Sequence, residues 1–501
     1  MALTLFNTLS GQKEPFRTSD PQKARIYVCG PTVYDYAHLG HARCYVVYDV
    51  LVRHLRASGI EVQYVRNITD IDDKIVRRSA ECEEEMALFA RRFEDAYRED
   101  MQRLGNLDPN VEPRVSDHLD EIRALISRLI EQGIAYESNG DVYFSVQAFP
   151  DYGKLSHRRL DEMEAGGSGR VREEESQRKR HPADFALWKR CLDESEAAWP
   201  SPWGRGRPGW HIECSAMSMK YLGESFDLHG GGLDLVFPHH ENEIAQSEAA
   251  TGKPFATCWM HNGFVEVDRE KMSKSLGNFF TIRELFERVE AEALRYALLG
   301  VHYRSPLHLD WRLDEAGNVV GFPQFEEAER RLAYVYATRR RVDELAPGDL
   351  EGAATSSDEA GEVAGLAERL QAALDDDLNT PVALAQVAEF LSKVNEHCDR
   401  VQKKRQRLTP AFHQEVLRGF SALGRSLGLG LQDPEALLLR IRSRRARALG
   451  LDPQEVDAKI EARRAARAAK DYALADQLRQ ELSAWGVELQ DGAEGTRWSI
   501  P

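Results

Sequence analysis

The sequence predicts an α/β protein with a parallel sheet that an insertion divides, followed by an α-helical bundle and a small α+β module. Three observations predict this fold. Strand-like runs at 24–29 and 61–66 alternate with helical patterns, which is typical of a parallel sheet with helical crossovers. A loop rich in glycine and charge at 165–181 interrupts that alternation. Beyond about residue 300, the apolar periodicity is helical, for example over 382–401.

The boundaries lie where composition and periodicity change, which gives five regions. They are the first half of a Rossmann-like domain at 1–115, an insertion at 116–202, the second half at 203–300, a helical domain at 301–450, and a C-terminal module at 451–501. The segment 346–365, rich in Gly, Ala, Ser and acids, is expected to be a flexible connection.

Composition indicates a soluble protein of several domains, with 42% hydrophobic and 30% charged residues in 501. Apolar runs stay below the ~18 residues that span a bilayer, and the first residues lack a signal-peptide pattern, so we expect a cytoplasmic protein without membrane contact. The seven cysteines are scattered without a CxxC pair, which disfavours a disulfide framework.

The net charge of −16 argues against non-specific coating of nucleic acid, but it does not exclude RNA. Four local clusters are basic, and each is either a solvated helix face or a contact for RNA. They are 178–180, 339–341, 403–407 and 440–447.

The segment HLGH, from His38 to His41, joins a strand-like run to a helical run. Helix N-termini attract phosphate, Gly40 permits a close approach, and His38 and His41 can donate hydrogen bonds to phosphate oxygens. The segment therefore suits a nucleotide site, although histidines that only cap the helix are the alternative.

The segment KMSKS, at 271–275, lies in a turn-rich stretch between apolar segments. Lys271 and Lys274 could bind a triphosphate and offset the charge that develops when its α-phosphate is attacked. A solvated charged turn explains this segment equally well when it is taken alone.

Together, HLGH and KMSKS resemble the two signature segments of the class I aminoacyl-tRNA synthetases, and the resemblance runs through the whole chain. It implies amino-acid activation with ATP and Mg²⁺, and catalysis by His38, His41, Lys271 and Lys274. The ATP-binding residues that it implies are His38, Gly40, His41, Gly232, Asp234 and Lys274.

A candidate metal site begins at Pro238, which suits the first turn of a helix. His239 and Glu243 are then four residues apart on one face, whereas His240 and Glu241 are expected to point elsewhere. An imidazole and a carboxylate at this spacing can bind one metal ion. Cys29 and Cys214 could complete the site, but their spacing does not show it, since a buried cysteine is often a small core residue.

These four residues, with the run NITDIDDK at 67–74, resemble the cysteinyl-tRNA synthetases specifically. The resemblance implies that Cys29, Cys214, His239 and Glu243 bind one Zn²⁺ at the floor of the amino-acid pocket. Zinc prefers a thiolate to a neutral hydroxyl, so cysteine would be selected over serine by coordination, without an editing step.

Further pocket residues follow with weaker support. Thr69 and Trp210 are expected to be pocket walls, although a threonine here could cap a helix and a tryptophan is often core. Gly232 would let the backbone approach the nucleoside, and Asp234 would accept from the ribose. The acidic residues of 70–73 lack the spacing of a calcium loop and are expected to cap a helix or form ion pairs.

The expected function is ATP-dependent attachment of L-cysteine to its tRNA through a cysteinyl-adenylate, by a monomer. The resemblance places anticodon reading in the C-terminal module, with Tyr472, Asp491 and Trp498 as candidates; tyrosine can stack on an unstacked base. Three alternatives are a cysteine ligase that acts on an amino-sugar, a catalytically inactive RNA-binding paralogue, and a structural zinc protein. The tRNA module disfavours the first and the retained motifs disfavour the other two.

Overall fold

The computed structural model describes residues 3–159, 178–193, 196–267, 270–271, 279–345, 357–403, 408–492 and 495–500. The described strands, β1 to β17, are Thr4–Asn7, Gln12–Pro15, Lys23–Val28, Glu61–Arg66, Ala135–Ser138, Asp141–Phe144, Phe185–Arg190, Gly206–Pro208, Phe226–Gly232, Ala256–Asn262, Val265–Val267, Glu270–Lys271, Leu307–Leu309, Arg312–Leu313, Val319–Gly321, Glu488–Gly492 and Gly495–Ser499. The described α-helices, α1 to α16, are Leu39–Ala57, Asp73–Glu81, Met86–Arg103, Leu119–Glu131, Trp210–Leu222, Glu241–Thr251, Ile282–Phe286, Ala291–Leu299, Pro323–Glu344, Ser357–Val363, Leu366–Asp375, Thr380–Lys403, Pro410–Leu427, Pro434–Ala448, Pro453–Ala468 and Tyr472–Ala484.

A four-stranded parallel sheet forms the centre of the fold, in the order β10-β9-β3-β4. Strands β3 and β4 precede the insertion and β9 and β10 follow it, so the predicted division of one sheet is confirmed. The chain leaves β3 toward β4 on one side while β9 lies on the other. The carboxyl ends of β3 and β9 therefore border the crevice where parallel α/β folds bind ligands.

Gly30, just beyond β3, shows how closely the chain is packed at this edge. A Cβ atom there would come within 1.5 Å of the main-chain oxygen of Asn67, which follows β4. Only glycine permits this approach. The loops after β3 and β4 are thereby held together at the carboxyl end of the sheet.

Helix α1 is apolar over much of its surface because it is buried between the sheet and the helical part of the chain. Val46, Tyr48, Leu51 and Val52 are fully buried in the largest apolar core, which continues into α11, α12 and α13. The helix that begins at HLGH is therefore fixed by packing along its length.

The insertion contains the antiparallel sheet β5-β6-β7-β8. Its last strand, β8, lies beyond the predicted boundary at residue 202. Phe144 and Phe185 stack with ring centroids 4.8 Å apart, and this core also includes residues of α5 and α6. Most of the loop predicted at 165–181 lies outside the described residues, which resume at 178.

Helices α9 to α14 form the predicted helical region, and α15, α16 and the β16–β17 hairpin form the C-terminal module. The expected flexible connection at 346–365 is partly wrong. Residues 346–356 lie outside the described part, but α10 is helical, because its last residue, Val363, packs into the main core. Among the described residues, no helix is long and apolar enough to cross a membrane.

Two basic clusters are paired with acidic groups of the chain itself. Arg339 binds Asp343, and Arg341 binds Asp399. In the cluster at 440–447, Arg444 and Arg445 bind Glu329. Three of these pairs connect α9 with α12 or α14, and the pair of Arg339 with Asp343 lies within α9. This pairing favours the structural interpretation of both clusters over RNA contact. Residues 404–407 of a third cluster lie outside the described part of the chain.

Candidate active site

The two histidines of HLGH cap the N-terminus of α1 reciprocally. The main-chain N–H of Gly40 donates to Nδ1 of His38 over 3.1 Å, and the main-chain N–H of His38 donates to Nδ1 of His41 over 3.2 Å. The rings stack with centroids 3.8 Å apart. Because each Nδ1 accepts, each neutral ring carries its proton on Nε2. Capping and phosphate binding are therefore compatible, because capping uses Nδ1 and a donor to phosphate at the positive end of the helix would be Nε2–H.

The segment after KMSKS is attached directly to HLGH. The main-chain N–H of Leu39 donates to the oxygen of Phe280 over 3.2 Å, and the N–H of Ile282 donates to the oxygen of Ala37 over 2.8 Å. The segment before it is the hairpin β11–β12, in which Glu266 pairs with Lys271. Lys271 is described only in its backbone, and Lys274 lies outside the described residues. The chain after KMSKS is thus fixed at the start of α1, and the chain before it is fixed within the β11–β12 hairpin.

Cys29, Cys214, His239 and Glu243 lie together in a buried cluster at the carboxyl end of the sheet. Cys29 follows β3, Cys214 belongs to α5, His239 precedes α6 and Glu243 lies in its first turn. Their potential ligand atoms all lie within 4.8 Å of one another. The fold therefore brings together four residues that are up to 214 positions apart in sequence.

Four of the six separations between these atoms are close to those of a tetrahedral zinc site. With Zn–S about 2.3 Å and Zn–N or Zn–O about 2.0–2.1 Å, a regular tetrahedron separates two sulfurs by about 3.8 Å, sulfur from nitrogen by about 3.5 Å and nitrogen from oxygen by about 3.3 Å. Sγ of Cys29 is 3.7 Å from Sγ of Cys214, 3.5 Å from Nε2 of His239 and 3.5 Å from Oε1 of Glu243. Nε2 of His239 is 3.0 Å from the same carboxylate oxygen.

The electrostatics of the cluster favour a divalent cation. A hydrogen bond from Cys29, aided by His239, lowers the pKa of Cys214 to about 6 against the effect of burial. Burial raises the pKa of Glu243, but the nearby rings of His229 and His239 more than offset this effect and lower the pKa to about 2. Burial raises the pKa of Cys29 well above its usual value. Burial lowers the pKa of His239, but Glu243 and Cys214 more than offset this and raise that pKa to about 9. At neutral pH the cluster therefore holds two anions and one protonated imidazole, and a divalent cation would bind by displacing that proton.

His240 does not point away from this cluster, and that expectation is wrong. Its Nε2 lies 3.4 Å from Sγ of Cys29. The reason is that 236–240 is a π-helical segment with a non-helical backbone at Phe237, so the angular spacing of an α-helix applies only from Glu241. Glu241 does point elsewhere, and accepts from the main-chain N–H groups of Gly153 and Ser156 in the insertion.

Three histidines beyond the predicted set surround the cluster. Nε2 of His229 is 2.8 Å from Oε2 of Glu243, and Nδ1 of His240 is 2.7 Å from Nε2 of His261. Burial lowers the pKa of His261 to about 3. His229 and His261 come from neighbouring strands, β9 and β10, so that no local spacing in the sequence marks them; only the position of His240 beside His239 gave a signal.

Trp210 and Thr69 lie on two sides of the cluster. The Trp210 ring stacks on His239 with centroids 4.1 Å apart, so it is a wall beside a candidate ligand. Thr69 is buried and donates to Glu213, the residue before Cys214, over 3.4 Å. Asn67, which sequence reasoning did not single out as a site residue, accepts from the N–H of Gly30 and lies 3.8 Å from Sγ of Cys214.

The acidic run at 70–73 has the structural roles expected of it. Asp72 caps α2, and Asp73 forms ion pairs with Lys189 and Arg207 of the insertion. Asp70 accepts from Ser116.

The glycines at 230–232 have different roles. A Cβ at Gly230 would collide with the Tyr48 ring and one at Gly231 with His240 and Leu235, so these two make room for the protein's own side chains. Gly232 ends β9, and a Cβ there would lie 2.5 Å from Oδ1 of Asp234. Asp234 itself is exposed on the rim of the crevice. Close approach to a nucleoside stays a prediction for Gly232, where a Cβ would meet only the exposed side chain of Asp234.

In the C-terminal module, the three candidate residues differ in accessibility. Tyr472 begins α16 with 64% of its surface exposed. Asp491 binds Arg463 through both oxygens and also contacts Arg467. Trp498 is only 6% exposed, packs in the module's core and donates to Asp457. Of the two aromatic rings, only that of Tyr472 is placed to stack on a base.

Comparison with known proteins identifies the class of this fold and site. A family model described as the catalytic domain of class I (C) tRNA synthetases matches residues 15–316, and a DALR domain model matches 369–432. The methionyl-tRNA synthetase of Mycobacterium tuberculosis in complex with methionyl-adenylate has a similar fold, with a TM-score of 0.58 and 17% identity over 87% of this chain and 95% of that chain. These matches confirm the predicted fold class.

Full-length curated relatives define the family within this class. The cysteine–tRNA ligase of Anaeromyxobacter dehalogenans strain 2CP-1 is 51% identical over 506 residues, and that of Geobacter sulfurreducens is 48% identical over 501, each covering 100% of both chains. The chain belongs to the cysteine–tRNA ligases, a family of class I aminoacyl-tRNA synthetases, and is therefore a ligase.

Proposed function

We propose that the protein activates L-cysteine with Mg²⁺-bound ATP and transfers it to cysteine tRNA. In the first step, a carboxylate oxygen of cysteine bonds to the α-phosphorus while the bond to the β-phosphate oxygen breaks, which yields cysteinyl-adenylate and pyrophosphate. In the second step, the terminal ribose hydroxyl of the tRNA attacks the cysteinyl carbonyl, and AMP leaves with the bonding electrons. Membership of the family supports both steps.

The observation that carries this proposal is the buried cluster of four potential metal ligands at the carboxyl end of the sheet. Cys29, Cys214, His239 and Glu243 would hold Zn²⁺, and the metal when bound would supply a Lewis acid that prefers the thiolate of cysteine to the hydroxyl of serine. Trp210, stacked on His239, would close one wall and orient that ring. His229 would orient the Glu243 carboxylate through their 2.8 Å contact.

The phosphate side of the site would rest on α1 and on KMSKS. Nε2–H of His38 and of His41 would donate to phosphate oxygens, and Gly40 would present its backbone without a side chain. Lys271 and Lys274 would stabilise the negative charge on the departing pyrophosphate. Gly232 and Asp234 would contact the ribose. No protein nucleophile is needed, because positioning and charge stabilisation suffice for this transfer.

The tRNA anticodon would be read by the C-terminal module, with Tyr472 stacking on a base. Asp491 would act by holding Arg463 and Arg467 in place. We do not retain Trp498 as a base contact, because its ring is buried. We also propose the same five regions as the sequence suggests, with the insertion extended to residue 208, where β8 ends.

The test is ATP–pyrophosphate exchange with each amino acid in turn, followed by transfer to tRNA. We expect exchange to depend on cysteine and to be negligible with serine, and zinc to be present at one ion per chain. Exchange with serine but not cysteine would refute the proposed substrate. Equal transfer to an amino-sugar and to tRNA would favour the alternative ligase.

A further inference from the structure

A loop at 302–305, between α8 and β13, lies where three parts of the catalytic machinery meet. The main-chain N–H of Gly263 donates to the oxygen of Tyr303 over 2.7 Å. Directly after the loop, β13 pairs in parallel with β11, so that Leu307 lies opposite Val265. Strand β11 leads through β12 into KMSKS. The loop is therefore hydrogen-bonded to the chain that leads toward KMSKS.

Arg43 joins this loop to the HLGH helix. It lies two residues after His41 on α1 and is only 2% exposed. Its Nη1 donates to the oxygen of Phe264 over 3.4 Å. The two hydrogens on Nη2 are shared among the oxygens of His302 and Tyr303, each 3.3 Å away, and that of Ser305. All four acceptors are main-chain carbonyls. The buried guanidinium thus fixes the path of the backbone. Its planar, rigid set of donors can hold several carbonyls at once, whereas a flexible lysine ammonium cannot.

Asp377 holds the same loop from the helical bundle. It lies in the turn between α11 and α12, and its side chain is almost fully buried. Its carboxylate accepts from the hydroxyl of Tyr303 over 2.6 Å and from Nε of Arg304 over 2.8 Å. Its main-chain oxygen accepts from Nε2 of His302 over 3.0 Å. The loop is therefore held both by Arg43, in the catalytic domain, and by Asp377, in the bundle.

We propose that Arg43 is a positioning residue for ATP, which fixes strand β11, on the chain that leads toward KMSKS, relative to the HLGH histidines through the 302–305 loop. Asp377 holds the same loop from the bundle. The inference rests on the proposed function of the two motifs. Arg43 acts through the loop and not by contact with substrate. Its effect is to hold β11 in place relative to the start of α1, and a misplacement of about 1 Å can cost up to about 100-fold in rate.

The experiment compares Arg43→Met, Arg43→Lys and Asp377→Asn with wild type in cysteine-dependent ATP–pyrophosphate exchange. Arg56→Met is the matched control, because Arg56 is an exposed cation farther along the same helix. We expect Arg43→Met to raise KM for ATP and lower kcat so that kcat/KM for ATP falls by about 10- to 100-fold. KM for cysteine and the zinc content should stay near wild type. The kcat/KM for ATP of Arg43→Lys should lie between the values of wild type and Arg43→Met, and that of Arg56→Met should equal the wild-type value.

The double variant Arg43→Met, Asp377→Asn provides a second measurement. Because both residues hold one loop, its loss in kcat/KM for ATP should be smaller than the product of the two single losses. Strictly multiplicative effects would overturn the shared role. Unchanged ATP kinetics in folded Arg43→Met, or equal losses for cysteine and ATP, would overturn the positioning role. A wild type without cysteine-dependent exchange would instead refute the proposed function.

Discussion

Replacing Cys214 by serine tests the zinc site most directly. The hydroxyl of serine is similar in size to the thiol but stays protonated at neutral pH, whereas the pKa of Cys214 is lowered to about 6. The variant therefore removes one of the two anions, Cys214 and Glu243, that make this buried space suitable for a divalent cation. The remaining three donors stay in place on other elements.

The expected magnitude follows from the four-donor geometry. A structural zinc site contributes about 10–16 kcal/mol of binding free energy, or about 2.5–4 kcal/mol for each of four ligands if they share it equally. The loss of one ligand then corresponds to zinc binding that is weaker by about 100- to 1,000-fold. Since the metal is proposed to bind the substrate thiolate, KM for cysteine should rise steeply while KM for ATP changes little.

The assay measures zinc per chain after dialysis against a weak chelator, together with KM for cysteine and ATP in pyrophosphate exchange. Cys258→Ser is the matched control, because Cys258 is also buried but lies in β10 and outside the cluster. Full retention of zinc and of cysteine affinity by Cys214→Ser would refute the assignment. Equal loss in both variants would indicate a general effect of a hydroxyl in the core.

Three further predictions concern other parts of the molecule. Lys274→Ala should lower the rate of pyrophosphate exchange by about 100- to 1,000-fold and leave zinc bound; a loss of zinc would contradict a role confined to ATP. Tyr472→Ala should raise KM for tRNA by about 5- to 150-fold, which corresponds to about 1–3 kcal/mol of base stacking, with exchange unchanged; Tyr472→Phe should retain the affinity, and an equal effect of both variants would argue against stacking. Burial raises the pKa of Asp100, which pairs with Arg283 of α7, to about 6. Because this folded-state pKa exceeds the value of about 3.9 in unfolded chains, stability that is complete below pH ~3.9 is lost as the pH rises through about 6. The unfolding temperature of Asp100→Asn relative to wild type should therefore increase between about pH 4 and pH 7, and a difference that does not change with pH would contradict this.

Local patterns predicted the main elements because their causes are local. The strand that precedes HLGH, the helix after it and the helices of the bundle follow from apolar periodicity within each segment. Apolar periodicity gave wrong predictions where contacts between distant segments decide the structure or the burial of a residue. Residues 357–363 look like a polar linker, yet they are helical because Val363 finds a place in the core. Trp498 looks accessible in a short tail, yet it packs into the C-terminal module.

The sequence by itself determined the family of this protein, through its signature segments HLGH and KMSKS, and it predicted the four residues that are proposed to hold zinc. It did so because residue types and their resemblance to a family survive without coordinates. Only the tertiary structure decided which groups meet. Strand order alone brings Cys29, His229 and His261 to one edge of the sheet, and the π-helical segment before α6 turns His240 toward Cys29. Sequence spacing does not encode these distances, because each depends on how separate strands and helices pack against one another.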